Sequence, residues 1–232
     1  MLNDFNSFSE QTWNKISKSF DITRKKPWKQ CIDFIEEQSN NNLLADIGCG
    51  NGRHLIPGAY IYKKVIGLDL SNNLLEIVKE KINKEKLTNT MLIHSNVLNI
   101  PIKNNKIDSV LYIATLHNIK GRVNRIQSLM EIKRILKKNG KALISVWSRW
   151  QDKYRREFFK KWFTKFRENE FGDINIYWRQ HGLNIPRFYH LYSKREFIKD
   201  INQVNFDIFD IKEVKLHSRK YPDNYFAIVE KK

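Results

Sequence analysis

Cysteine is nearly absent from this chain. Cys31 and Cys49 are its only two, too few for a disulfide framework or a zinc site, so neither is expected. Acidic residues are outnumbered. Against 42 Lys and Arg stand 25 Asp and Glu, and the net charge of +17 points to a polyanionic partner, most often nucleic acid. The abundance of Lys, Asn and Ile also fits plain compositional bias with solvated lysines. Long apolar runs are missing; none approaches the ~18 residues that a membrane span needs. The opening MLNDFNSFSE has no basic region and no apolar stretch behind it, so no signal peptide is expected, and the reading is cytoplasmic with no membrane role. A length of 232 residues with 41% apolar content suits one domain with a core of its own. Glycine is sparse too, nine in all, so three of them within five residues are informative.

Those three close the stretch 43–53, LLADIGCGNGR. A short apolar run carries an acid, Asp46, near its end, and Gly48, Gly50 and Gly52 follow. The run suits a buried parallel strand, and the glycines let the backbone turn tightly against a ligand. The spacing differs from the dinucleotide fingerprint, whose third glycine comes one residue later. A carboxylate before the first glycine repels a pyrophosphate and suits a cation such as a sulfonium. A second apolar run, 65–71, ends in Asp69, where a doubly wound fold presents an acid to ribose hydroxyls. The pair of strand-end acids around a glycine loop fits S-adenosylmethionine. An ordinary strand-turn-helix with a surface Asp is the plainer alternative.

The rest of the chain alternates. Residues 1–42 read as helical, with Trp13, Ile16 and Phe20, then Cys31, Phe34 and Ile35, at helical spacing. A helix begins at 55–62, interrupted by Pro57-Gly58. Strand 64–70 leads through the N-cap Ser71 to helix 72–86. Strands 91–95, 106–114 and 141–147 follow, with helix 122–138 between the last two and Asn139-Gly140 as its C-cap. Residues 149–187 break the rhythm with a basic, aromatic helical insertion, in which Phe158, Phe159, Trp162, Phe163 and Phe166 form one stripe, read as core contact with a basic face around it for phosphates. A helix at 194–201 and strands 206–216 and 224–230 close the chain. The expected fold is α/β: a doubly wound, seven-stranded, mostly parallel sheet in one domain, with a helical cap at 1–42, a cofactor-binding core at 43–148, the insertion at 149–187 and a terminal helix and strands at 188–232.

These residues resemble the class I methyltransferases and, more narrowly, the eukaryotic tRNA carboxymethyluridine methyltransferases, which esterify a carboxymethyl group on a wobble uridine. The likeness runs nearly end to end. It includes Thr23-Arg24 with Pro27-Trp28, Asp46 to Gly52, Asp69-Leu70-Ser71, Ile113 to His117, Gly140 to Ile144 with Val146-Trp147, and Arg187 to Tyr192. Two positions depart from the family pattern: Asn96 stands for an Asp that meets the adenine amino group, and His117-Asn118 for a His-His pair. The resemblance implies S-adenosylmethionine held by Asp46, Gly48, Cys49, Gly50, Gly52, Asp69, Leu70, Asn96, Val97 and Ile113. It implies an acceptor gripped by Arg24 and lined by His117, Trp147, Tyr189 and His190. It also implies tRNA as partner and a small zinc-binding activator subunit on the edge strand 91–93, with no metal in this chain.

Each candidate has a plainer reading: Arg24 as a surface charge, Tyr189 and His190 as packed core, Trp147 as packing. Two other functions compete, a small-molecule methyltransferase of the same fold and a non-catalytic RNA-binding protein that keeps it. The excess charge speaks against the first and the intact glycine loop against the second.

Overall fold

The apolar runs become the strands of one sheet in the computed structural model, which describes residues 2–40, 42–162 and 170–232. Strands β1 (Leu43–Ile47), β2 (Lys64–Asp69), β3 (Thr90–His94), β4 (Ile107–Ile113) and β5 (Leu136–Trp147) pair in parallel, and β8 (Asp207–Val214) and β9 (Asn224–Glu230) add an antiparallel pair. The seven-stranded order is β3-β2-β1-β4-β5-β9-β8, so the direction of winding reverses at β1, where doubly wound sheets open a crevice.

Helices cover both faces. On one side α2 (Lys29–Glu37), α3 (Leu55–Ile61) and α4 (Asn72–Lys84) bury Phe34, Leu55 and Val78; on the other α5 (Arg122–Ile135) and α7 (Lys194–Gln203) bury Leu129, Ile132 and Phe197. Each such apolar side chain contributes about 1.5–3 kcal/mol relative to exposure. Ser71 caps α4 by accepting the Leu74 amide at 3.2 Å, and Ser193 caps α7 by accepting that of Glu196 at 3.2 Å. No described helix is long and apolar enough to cross a membrane.

Three local expectations change. Helix α3 runs through Pro57-Gly58. Proline in the first turn has no hydrogen-bonded amide to lose, and a side chain at Gly58 would meet Leu44 Cδ2 at 2.4 Å. Helix α5 stops at Ile135 rather than 138, because Asn139 and Gly140 pair with Lys231 instead of capping it. The insertion is not wholly helical. After α6 (Arg155–Trp162) it returns as a separate hairpin, β6 (Asp173–Trp178) with β7 (Ile185–His190). Of the aromatic stripe, Phe158 is buried and Phe159 is 65% exposed, which splits the expected face. The side chains of Trp162, Phe163 and Phe166 lie outside the described residues.

The hairpin and α1 (Leu2–Thr23) form a cap over the carboxyl ends of the strands. Trp178 Nε1 donates to Ser19 Oγ at 2.7 Å, joining β6 to α1. A charged network fastens the hairpin from behind. Arg125, fully buried, donates to Glu170 at 2.5 Å, Arg122 donates to the buried Asp200 at 2.8 Å, and His190 sits between Asp173 at 2.7 Å and Glu196 at 2.9 Å. Arg149 pairs with the same Glu196. Removing one member of a buried network leaves its partners uncompensated. Arg125→Met is therefore expected to lower stability by about 2–4 kcal/mol, read as a drop in the urea midpoint. An unchanged midpoint would mean that the network contributes nothing net.

Candidate active site

β1 gives way to a loop held tightly from below. The amides of Gly48 and Cys49 both donate to the Leu68 carbonyl, at 2.6 and 2.9 Å. Gly48 has φ +76°, and a Cβ there would lie 2.2 Å from Thr115 Oγ1, so only glycine lets this turn close onto the end of β4. Gly50 differs. A Cβ there would first meet Phe20 at 3.5 Å, so that side of the loop is open. Its amide donates to Asp69 Oδ2 at 2.8 Å, while Asp69 Oδ1 accepts the Ser71 amide at 2.9 Å.

Above the loop lies a cavity of about 500 Å³, walled by the strand ends, α1 and the hairpin, within the range of small-ligand sites. Of the residues assigned from the sequence to the cofactor, Gly48, Cys49, Gly50, Asp69, Leu70, Asn96, Val97 and Ile113 line it. Asp46 and Gly52 do not. Asp46 lies one residue inside β1, paired with Gly67 and Leu111, and is 1% exposed, whereas Asp69 is the last residue of β2. The two acids thus occupy different depths rather than matching positions on the wall. Burial, then the charge of Asp69, pushes the Asp46 carboxyl up to about 7, opposed by Arg53. Its Oδ2 is buried without a hydrogen-bond partner among the described residues. Burial also raises Asp69, against the backbone amides of Ser71, Gly50 and Leu70 that favour its charged form. Asn96 Oδ1 already accepts the Leu98 amide at 2.9 Å and keeps a second lone pair for an amino group. A Cβ-free loop, an acid on the wall and an unsatisfied carboxylate behind it fit a ligand with a ribose and a positive charge.

The other half of the cavity is aromatic and cationic. Tyr189 stacks on Trp147 with centroids 5.0 Å apart and on His117 at 5.3 Å. His117 Nδ1 accepts the Trp147 amide at 3.1 Å, which leaves the ring proton on Nε2. Burial, then the charge of Arg187 and the nearness of His190, pushes His117 down to about 3, so the ring is neutral at ordinary pH. Arg24 lines this half, its carbonyl held by Asn51 Nδ2 at 2.9 Å and its guanidinium 5.4 Å from the centre of the Trp178 ring. Burial lowers its pKa from the usual arginine value, and Arg187 adds to that shift. Arg187 donates to Tyr189 Oη at 2.5 Å, and its Nε is buried without a partner among the described residues. No carboxylate lies within ion-pair distance of Arg24 or Arg187 among the described residues. Asn118, in the second position of the family's His-His pair, donates to the Ala114 carbonyl at 2.8 Å and steadies a left-handed backbone of φ +53°.

His190 is not in the cavity. Alternate residues of a strand face opposite sides, so the Tyr189 that enters the cavity turns His190 away into the charged network. The same period explains what was passed over. Arg187 shares a face with Tyr189 two residues on, and the pattern of β7 would have found it. Asn51, inside the glycine motif, gave no sign that it would reach the Arg24 carbonyl.

Comparison with known proteins agrees with this geometry. A family profile described as a methyltransferase domain matches residues 45–144. The tRNA (carboxymethyluridine(34)-5-O)-methyltransferase of Schizosaccharomyces pombe is 28% identical over 97% of this chain and 97% of its own length. The tRNA (carboxymethyluridine(34)-5-O)-methyltransferase ALKBH8 of Mus musculus is 32% identical over 61% of this chain, but the match spans only 20% of that protein. A SAM-dependent methyltransferase from Methanosarcina mazei superposes with a TM-score of 0.71 at 18% identity, over 89% of this chain and 98% of that one. By sheet order, glycine loop and superposition, the chain has the class I methyltransferase fold, with a methyltransferase-domain match over residues 45–144.

Proposed function

We propose that the chain methylates tRNA, esterifying the carboxymethyl group of a wobble uridine. One observation carries the reading. Two guanidiniums, Arg24 and Arg187, stand in the acceptor half of the cavity without a carboxylate partner among the described residues, beside three stacked rings. A carboxylate offers two oxygens to a guanidinium, and a pyrimidine offers a face to the rings. The fission-yeast relative, matched over nearly its whole length, bears the name of this activity, and a net charge of +17 suits an RNA substrate.

When bound, S-adenosylmethionine supplies an electrophilic methyl group on a sulfonium. What the chain's own residues supply is placement. A carboxylate acceptor is ionised at neutral pH, so no general base is required. Neutral His117 offers an N–H rather than a charge, and Arg24 and Arg187 hold the oxygens in line. α1 and β7 wall the cavity, and keeping water from the reacting groups there would favour the transfer. The same reading includes a small zinc-binding activator subunit on β3. What supports that partner is the sheet edge itself, where Met91 is 59% exposed.

Three outcomes are expected. Arg24→Ala should retain donor binding by calorimetry and lose about 100-fold or more in turnover on carboxymethylated tRNA, measured by nucleoside mass analysis. Unaltered turnover would take Arg24 out of the site. The Asp46 carboxyl, pushed up to about 7, is neutral below that pH and charged above it. Affinity for the cationic donor should therefore rise with pH, about tenfold between pH ~6 and pH ~8, and Asp46→Asn should flatten the profile. A flat profile for the unaltered chain would exclude Asp46 from donor binding. Met91→Glu should abolish co-purification with an activator subunit while leaving the Tm of the isolated chain within about 2 °C; continued co-purification would move the partner to another surface.

A further inference from the structure

A second concavity, of about 560 Å³, lies beside the main one. Its wall is made by Trp150, Arg155, Arg156, Phe159, Lys160 and Tyr221. Three segments meet there: the turn after β5, the outer face of α6 and the loop between β8 and β9. Phe159 is 65% exposed, and Arg156 and Lys160 are exposed on either side of it in sequence. The Arg155 guanidinium lies 4.4 Å from the centre of the Tyr221 ring, and Lys220 Nζ lies 5.5 Å from it. Aromatic faces and cations are thus interleaved, with Glu157 the lone acid of α6.

The groove is built rather than incidental. Asp152 accepts the amides of Arg219, Lys220 and Tyr221 at 2.8, 2.9 and 3.1 Å, which fixes the β8–β9 loop against the start of α6. Those three bonds hold the Asp152 carboxylate below its usual range and commit its charge to the loop. The groove also adjoins the main cavity along the chain. Gln151, Tyr154 and Arg219, chain neighbours of its wall, line the main cavity. A strand whose one nucleotide enters the cavity would lay the next along this groove.

We propose that this groove is a second nucleotide subsite, holding the unpaired nucleotide next to the one being methylated. Its base stacks on Phe159, and its phosphates meet Arg156 and Lys160. Stacking tolerates any base, because every base has a π-face, and the cations follow the backbone. The inference rests on the RNA reading of the main cavity and adds the flanking contact to it.

The test uses the full chain. Fluorescence anisotropy follows a short single-stranded RNA with carboxymethyluridine at its centre, over a range of salt. Phe159→Ala should weaken binding about tenfold. Arg156→Ala with Lys160→Ala should lower the log-log salt slope by about 1.4. The KM for carboxymethylated tRNA should rise in both variants, and a photoactive uridine beside the target should crosslink to a peptide containing Phe159. Donor calorimetry on each variant reports that it is folded. If the unaltered chain turns over carboxymethylated tRNA but neither variant changes KM, slope or crosslink, the groove assignment fails alone. If the unaltered chain neither binds nor methylates RNA, the reading of the main cavity fails and this one falls with it. Tighter binding of an acidic peptide than of RNA at this groove would overturn the nucleotide assignment.

Discussion

The Asp69 carboxylate draws in the Gly50 amide on one oxygen and the Ser71 amide on the other, in a position only 9% exposed. Three segments meet through it: the end of β2, the glycine loop and the start of α4. Ser71 extends the junction by capping α4 and donating to Asn14 Oδ1 at 2.7 Å, which brings in α1. The floor of the cavity and part of its roof therefore share one anchor. A carboxylate in so dry a place is costly, and the backbone amides around it offset part of that cost. The loop cannot relax away from Asp69 without exposing both.

Charge in this molecule is arranged in two contrasting ways. Behind the hairpin, Arg122, Arg125, Arg149 and His190 each face a carboxylate, and the set ties α5, α7 and the hairpin together. Inside the cavity, Arg24 and Arg187 rest on aromatic rings instead, over Trp178 at 5.4 and 4.9 Å. Paired buried ions hold a structure in register. Cations that rest on π-faces with no carboxylate beside them among the described residues remain receptive, because an anionic ligand would bring the counter-charge. The division explains how two neighbouring residues of β7 serve different ends: Tyr189 faces the receptive side and His190 the paired one.

Asn51 joins the two halves of the cavity. It belongs to the glycine motif, yet its amide donates to the Arg24 carbonyl and to Asp21 Oδ1, the latter at 2.8 Å. Lys81 completes the link by donating to Asp21 and to the Asn51 carbonyl at 2.9 Å. In the proposed reading, the loop that would cradle one ligand thus positions the residue that would grip the other, which suits a reaction whose partners must meet in line.

Much of this architecture was legible in the residues. Apolar runs of strand length, the glycine triplet, Ser71 as a cap and the closing pair of strands all carry local signals, and local signals mark the strands and the place of the loop. The hairpin β6–β7 was hidden because its residues read as a basic helical region and its pairing spans the turn at 179–184. The depth of Asp46, the turning away of His190 and the reach of Asn51 were equally out of sight. By itself the sequence determined which segments form strands and helices and which loop must come close to a ligand, since these follow from periodicity and backbone freedom along the chain. The tertiary structure alone decided which charges find partners and which face the cavity, because pairing depends on distances between segments that the linear order does not contain.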